Sequence, residues 1–188
     1  MRVLAIECSA GSGSVAVCED GRVLVEEEFE NPRGRGVEFF ASLQSVVELR
    51  GDFECVLVGT GPGGYNALRS GIGAALGVAR ARGVPLFGVC SLLGYDSPEY
   101  QVVGDARAGQ WFFAHVKAGR LVEAPVLVAP GAALAAAVPG IPLFSTGVAA
   151  DRACLEAPRA RFLARHTGQA GAAEPVYLKP PHITKPNK

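Results

Sequence analysis

The chain contains a shifted copy of its own beginning. Moved by 98 residues without a gap, Glu7 falls on Asp105, Ala16 on Ala114, Gly21-Arg22 on Gly119-Arg120, and Val23-Leu24 on Leu121-Val122. Both segments read as strand, acid, small-residue turn, strand, Gly-Arg turn, strand. Such a repeat states how a fold is built: two lobes, each opening on a three-stranded β-meander. In the first copy, residues 3–8, 14–18 and 23–29 are the predicted strands. Asp20-Gly21 is the hairpin turn between the last two, of the kind that needs positive φ.

Between the copies lies Val56-Leu57-Val58-Gly59-Thr60-Gly61-Pro62-Gly63-Gly64-Tyr65-Asn66-Ala67. An apolar run of strand length meets a glycine cluster, and a helix-forming segment follows over 67–82. This predicts a buried strand, a tight turn and a helix. Gly59, Gly61 and Gly64 satisfy GxGxxG, but the dinucleotide fingerprint also needs an acid closing the next strand, and residues 85–89 supply none. Pro62 removes an N–H from any phosphate cradle, and no Gly-Lys-Ser/Thr follows as a P-loop requires. The turn therefore reads as structural, setting the angle between strand and helix. Gly71, Gly73 and Gly77 each cost that helix about 1 kcal/mol relative to alanine. With Ala74, Ala75 and Ala79 they form a surface of little relief. It calls for close approach by another backbone, either the chain's own sheet or a second subunit's helix.

Residues 37–49 place Phe40, Leu43 and Val47 on one helical face, with Phe39 and Val46 beside them. That front is wide enough to cover a sheet and still meet a partner. Residues 85–89 are a short strand and 91–95 only a helical stub. In the second half, 126–129 are extended, 131–138 a short alanine-rich helix, 142–146 a strand, 152–167 one or two short helices, and 174–179 extended ahead of a proline-rich tail.

Composition excludes several function classes. Hydrophobic residues at 49% and charged ones at 19% belong to a globular chain. Eighteen basic residues balance eighteen acidic ones, without the positive excess of a chain that grips nucleic acid alone. Five cysteines, with no CxxC spacing, read as reduced thiols acting as small hydrophobes, and no segment has membrane-spanning length. A cytoplasmic location is expected. His115, His166 and His182 form neither HxxxH nor HExxH, so no metal site is expected.

Two meander-led α/β lobes, each with a carboxylate closing its first strand, are the layout of the actin-like ATPases and sugar kinases. In active members those acids and turns face each other and hold Mg²⁺ and nucleotide phosphates. Residues 9–13 lack a lysine or arginine to neutralise phosphate, and Ala106-Arg107-Ala108-Gly109 is equally brief. Glu7 and Asp105, the two candidate cofactor-binding residues, therefore read as structural acids that accept hydrogen bonds from turn amides. No catalytic residue and no cofactor is expected.

Val3-Leu4-Ala5-Ile6-Glu7-Cys8-Ser9, the run Gly59 to Gly71, Asp105-Ala106-Arg107-Ala108-Gly109-Gln110 and Glu174-Pro175-Val176-Tyr177-Leu178-Lys179 resemble the TsaB (YeaZ) family. The resemblance runs the length of the chain, and Gly-Pro-Gly followed by Leu-Arg is its most specific element. The chain departs from the family pattern at Glu7, where Asp is usual, at Gly64-Tyr65-Asn66-Ala67, where Ser-Phe-Thr-Gly is usual, and after Ser91, where a long helix shrinks to a stub.

The resemblance implies an α/β fold of two actin-like (ASKHA, ribonuclease H-like) lobes, the first over 1–96 and a reduced second over 97–188. It implies a non-catalytic scaffold that activates a TsaD-like paralogue for threonylcarbamoyl transfer to the adenosine beside the tRNA anticodon. A TsaE-like ATPase is a further partner, tRNA is reached only through the complex, and a homodimer forms in isolation. Phe39, Phe40, Leu43, Val47, Arg69, Gly73, Leu76, Gly77 and Arg80 are the expected partner interface. One rival reading is a small phosphotransferase with Mg²⁺ between Glu7 and Asp105. Another is a direct tRNA-binding module using Arg69, Lys179, Lys185 and Lys188.

Overall fold

Alternation along the first three strands, and the turn between the second and third, set up one sheet. The computed structural model describes residues 1–30, 36–106, 109–148 and 153–179. Within them β1 (Arg2–Glu7), β2 (Ser12–Glu19) and β3 (Arg22–Glu30) form the predicted meander. Asp20 and Gly21 both take positive φ, 48° and 83°, a turn whose twist matches that of the flanking strands. β4 (Cys55–Gly59) and β5 (Leu86–Val89) then add in parallel, giving the order β3-β2-β1-β4-β5. Parallel neighbours need long crossovers. These are α1 (Val37–Leu49) and α2 (Tyr65–Arg82).

Because side chains alternate along a strand, β1 splits between two cores. Leu4, Ile6 and Cys8 pack with the helices, while Val3 and Ala5 pack toward the second sheet. That second sheet holds β6 (Glu99–Asp105), β7 (Trp111–Lys117), β8 (Arg120–Leu121), β9 (Val126–Val128), β10 (Leu143–Ser145) and β11 (Cys154–Leu155). Its order is β11-β10-β6-β7-β8, with β9 also on β7, and β6, β10 and β11 run parallel. Strand for strand this repeats the first sheet. The same hairpin recurs, with Ala118 and Gly119 at φ 48° and 69°. The architecture is that of two actin-like lobes, the second reduced, with α3 (Pro130–Ala136) and α4 (Ala160–Leu163) as its short helices.

The register corrects one element of the repeat. Glu19 pairs with Arg22 and Lys117 with Arg120, so the shift of 98 holds through the hairpins. It slips in the opening strands: Glu7 pairs with Ser14, but Phe112, the counterpart of Ser14, pairs with Gly104 rather than Asp105. A one-residue slip turns every side chain to the other face. Tyr100 and Val102 accordingly face the inter-sheet core together with Val3 and Ala5, whereas Val103 joins the separate core under α3. Glu7 lies buried on the inter-sheet side, and Asp105 ends β6 exposed on the opposite one.

α4 closes the molecule by packing on the first sheet. The Ala160 N–H donates to Ser14 Oγ at 2.8 Å, and Arg159 and Arg161 pair with Glu28 and Glu26 on β3, each at 2.7 Å. The stub after β5 is a single 3-10 turn, Ser91–Leu93. Cys154 departs from the expectation of buried thiols, being exposed on β11. Most of the predicted loop at 31–36, Arg107-Ala108 of the second turn, and the tail with Lys185 and Lys188 lie outside the described residues. Among the described residues no helix is long and apolar enough to cross a membrane.

Candidate functional site

In open α/β sheets ligands bind beyond the carboxyl ends of the parallel strands. Here those ends are Glu7, Gly59 and Val89, and the chain's own backbone closes the space above them. The Gly64 N–H donates to Ser9 O at 2.9 Å, and Gly63 lies so close to that carbonyl that a Cβ would have no room. The Gly61 N–H donates to Ser91 Oγ and the Ser91 N–H to Gly61 O, both at 2.9 Å. The predicted turn thus serves as a joint between three strand ends. Gly61 takes φ 95° within it, which favours glycine.

Residues 171–178 cross this joint as a strap. Gly171 and Gly88 exchange two backbone hydrogen bonds of 2.9 Å, and the Val176 N–H donates to Thr60 O at 2.8 Å. Leu178 reaches the inter-sheet core. Tyr177 stacks on Tyr65 at 5.1 Å between centroids and accepts a 3.3 Å hydrogen bond from Arg69 Nε. A cleft of 340 Å³ lies elsewhere, lined by Tyr95 to Pro98, Tyr100, Gly119, Arg165 and His166, and shares no residue with the joint.

Glu7 sits at the bottom, fully buried. Its Oε1 accepts the Ser9 N–H at 2.5 Å, while Oε2 lies over Gly59 beside the Ser91 hydroxyl without a well-formed hydrogen bond. Burial raises the carboxyl above the usual range, and hydrogen bonding from Ser9 offsets part of that. The folded chain therefore keeps a proton at pH values where the unfolded chain has released it. The stability this group contributes is fully present in acid and is lost as pH rises through the raised value. Glu7→Gln, which mimics the neutral acid, is expected to remove that decline. Urea midpoints for the two proteins, measured from pH 4 to pH 8, should diverge as pH rises; parallel curves would mean that Glu7 does not titrate in this window.

The structure separates the two acids the sequence had matched. Gly104, not Asp105, occupies the position equivalent to Glu7, and the space a side chain would need there is taken by Thr146 and the Phe112 ring. Glu7 is buried at the end of β1, whereas Asp105 is exposed at the end of β6.

The expected interface residues divide into two sets. Phe39 and Leu43 face inward, 2% and 6% exposed, so the sheet and not a partner takes these two side chains, while Val47 is half-buried at the edge of the same core. The sheet takes the Phe39, Leu43 and Val46 side of α1, which leaves Phe40 outside at 53% exposure. On α2 the buried side is Ala67, Leu68, Gly71, Ala75 and Ala79. Arg69, Gly73, Leu76, Gly77 and Arg80 are all exposed. Gly71 meets Cys8, whereas Gly73 and Gly77 have nothing within 4 Å of where a Cβ would stand. Sequence reasoning missed the Tyr65, Arg69 and Tyr177 cluster at the start of this face, because no local signal joins positions 108 residues apart.

Comparison with known proteins narrows the family. Residues 41–115 match the family model described as TsaD, tRNA N6-adenosine threonylcarbamoyltransferase. An uncharacterized protein of Mycobacterium tuberculosis is 32% identical over 155 residues, 78% of this chain and 72% of that one. The Escherichia coli tRNA threonylcarbamoyladenosine biosynthesis protein TsaB is 30% identical over 126 residues, 61% of this chain and 54% of that one. Among solved structures, YeaZ from Pseudomonas aeruginosa superposes with a TM-score of 0.71 at 21% identity, covering 94% of this chain and 99% of that one. A relative that shares part of the sequence and a solved structure that shares the fold over nearly its whole length agree in likening the chain to the TsaB (YeaZ) proteins.

Proposed function

We propose that the chain is a non-catalytic scaffold of the machinery that makes threonylcarbamoyladenosine in tRNA, and that it holds and activates a TsaD-like catalytic subunit. Likeness to TsaB supports the pathway; the outward face of α2 supports the role. Gly73 and Gly77 weaken the helix by about 1 kcal/mol each, and among the described residues nothing lies within 4 Å of where their Cβ atoms would stand. That uncompensated cost is the observation that carries the reading. A helix from another subunit, lying close on those glycines, would offset it.

The first lobe, 1–96, presents α2 and Phe40 to the partner, and the second, 97–188, braces it through α4 and the strap. In isolation the same face pairs two copies, since self-association hides exposed apolar area when the partner is absent. A TsaE-like ATPase joins the complex, tRNA is reached through it, and the assembly works in the cytoplasm. The deciding experiment is co-purification with a TsaD-like protein, followed by a tRNA modification assay with and without this chain. Modification that depends on the chain is the expected result. Equal modification in its absence, or failure to co-purify, would remove the scaffold role.

A further inference from the structure

The charge pattern of α2 states what kind of surface it meets. Its eighteen residues include Arg69, Arg80 and Arg82 and no acid. Among the described residues none of the three has a carboxylate within 4 Å, whereas Arg2, Arg159, Arg161 and Arg165 each do. Arg80 and Arg82 lie in the last turn, where the helix dipole favours cations. Arg69 has no such excuse. It stands near the amino-terminal end, where a positive charge is disfavoured and no first-turn acid compensates.

Arg69 is also held ready. Its guanidinium lies 4.4 Å from the Tyr65 ring centre, and Nε donates to the neutral Tyr177 hydroxyl. Order of this kind lowers the entropy cost of a later ion pair. Arg80 follows Arg69 by eleven positions, so they stand on nearly the same side of the helix, about 16 Å apart. Gly73 and the 42% exposed Leu76 lie between them on that side.

We propose that this face takes an acidic helix of the partner, with carboxylates about three turns apart meeting Arg69 and Arg80 and small or apolar side chains lying on Gly73 and Leu76 between them. The inference rests on the scaffold reading and adds the partner's chemistry to it. A nucleic-acid backbone fits the face less well, because Leu76 and the bare glycines put apolar surface where phosphates would run.

The test is the affinity of the full chain for a TsaD-like protein, without tRNA, from about 50 mM to about 500 mM salt. Arg69→Gln with Arg80→Gln is expected to weaken binding about tenfold at low salt and to flatten the salt dependence, with Arg80→Lys keeping most of the affinity. Unchanged affinity and slope in the double variant would overturn the inference, including where the arginines affect binding only once tRNA is added. Gly77→Leu separates the two levels. If it blocks binding while the arginine variant does not, the face docks a partner but not an acidic one. If the wild-type chain forms no complex, the scaffold reading falls and the inference with it; if Gly77→Leu leaves the complex intact, the partner sits on another face and the inference alone falls.

Discussion

Gly59→Ala is expected to destabilise the chain by about 3 kcal/mol or more, enough to leave a marginal domain largely unfolded at 37 °C. The new methyl would stand inside contact distance of Glu7 Oε2, 2.6 Å from Ser91 Oγ and 2.8 Å from Glu7 Cδ. Neither neighbour can retreat. Glu7 is fully buried and tied to the Ser9 N–H, and Ser91 is buried and holds the Gly61 N–H. Moving either one breaks a buried hydrogen bond in addition to overpacking the joint, and such costs add. Urea denaturation of the wild-type chain and the variant provides the measurement, and a shift below about 1 kcal/mol would show that the joint deforms easily. Glu7→Ala combined with Gly59→Ala should recover part of the loss, since it clears the space the methyl needs, and a cycle of the two separates crowding from the lost hydrogen bond.

Much of this fold can be read in the residues because the decisive signals are local. Asp20-Gly21 and Ala118-Gly119 fix two identical hairpins, and the glycine run after Val58 marks the change from strand to helix. Where reasoning from residues failed, two arrangements were equally good locally. On α1, Phe40, Leu43 and Val47 make one acceptable face and Phe39, Leu43 and Val46 make another. Only packing on β2 and β3 selects the second. The match of Glu7 with Asp105 failed because the connection after the first strand is one residue longer in the second copy, which an ungapped shift cannot detect and a period of two cannot forgive. β11 is a two-residue exposed edge strand, too short to alternate, and its span reads as helix or loop. The strap is legible as extended chain but not as a roof, since its partners Thr60 and Gly88 are far away in sequence.

The site follows the same division. The glycines of α2 announce a close approach without saying by what. The structure answers for Gly71, where a Cβ would stand 3.1 Å from Cys8 Sγ and 3.2 Å from Cys8 Cβ, and leaves Gly73 and Gly77 open. Two glycines of one turn, equal in the sequence, thus differ in the fold: Gly71 lets the helix settle on its own sheet, and Gly73 faces open space.

That difference makes Gly73→Leu the sharpest test of the docking face. A Cβ at this position meets nothing within 4 Å among the described residues, and leucine replaces the poorer helix former, so the monomer should gain up to about 1 kcal/mol of stability. Against a partner helix the same side chain would hold the two backbones apart over Leu76 and Gly77 and forfeit the close contacts of the face. Affinity for a TsaD-like protein is expected to fall at least about a hundredfold, and tRNA modification by the reconstituted complex to fall with it. Gly71→Leu should do the reverse, unfolding the chain by forcing α2 off Cys8 before any partner is added. Thermal unfolding and titration calorimetry on the pair resolve the two roles. Gly73→Leu binding like the wild-type chain would mean that the partner sits elsewhere, and a helix carrying two solvent-facing glycines would then have no function to set against their cost.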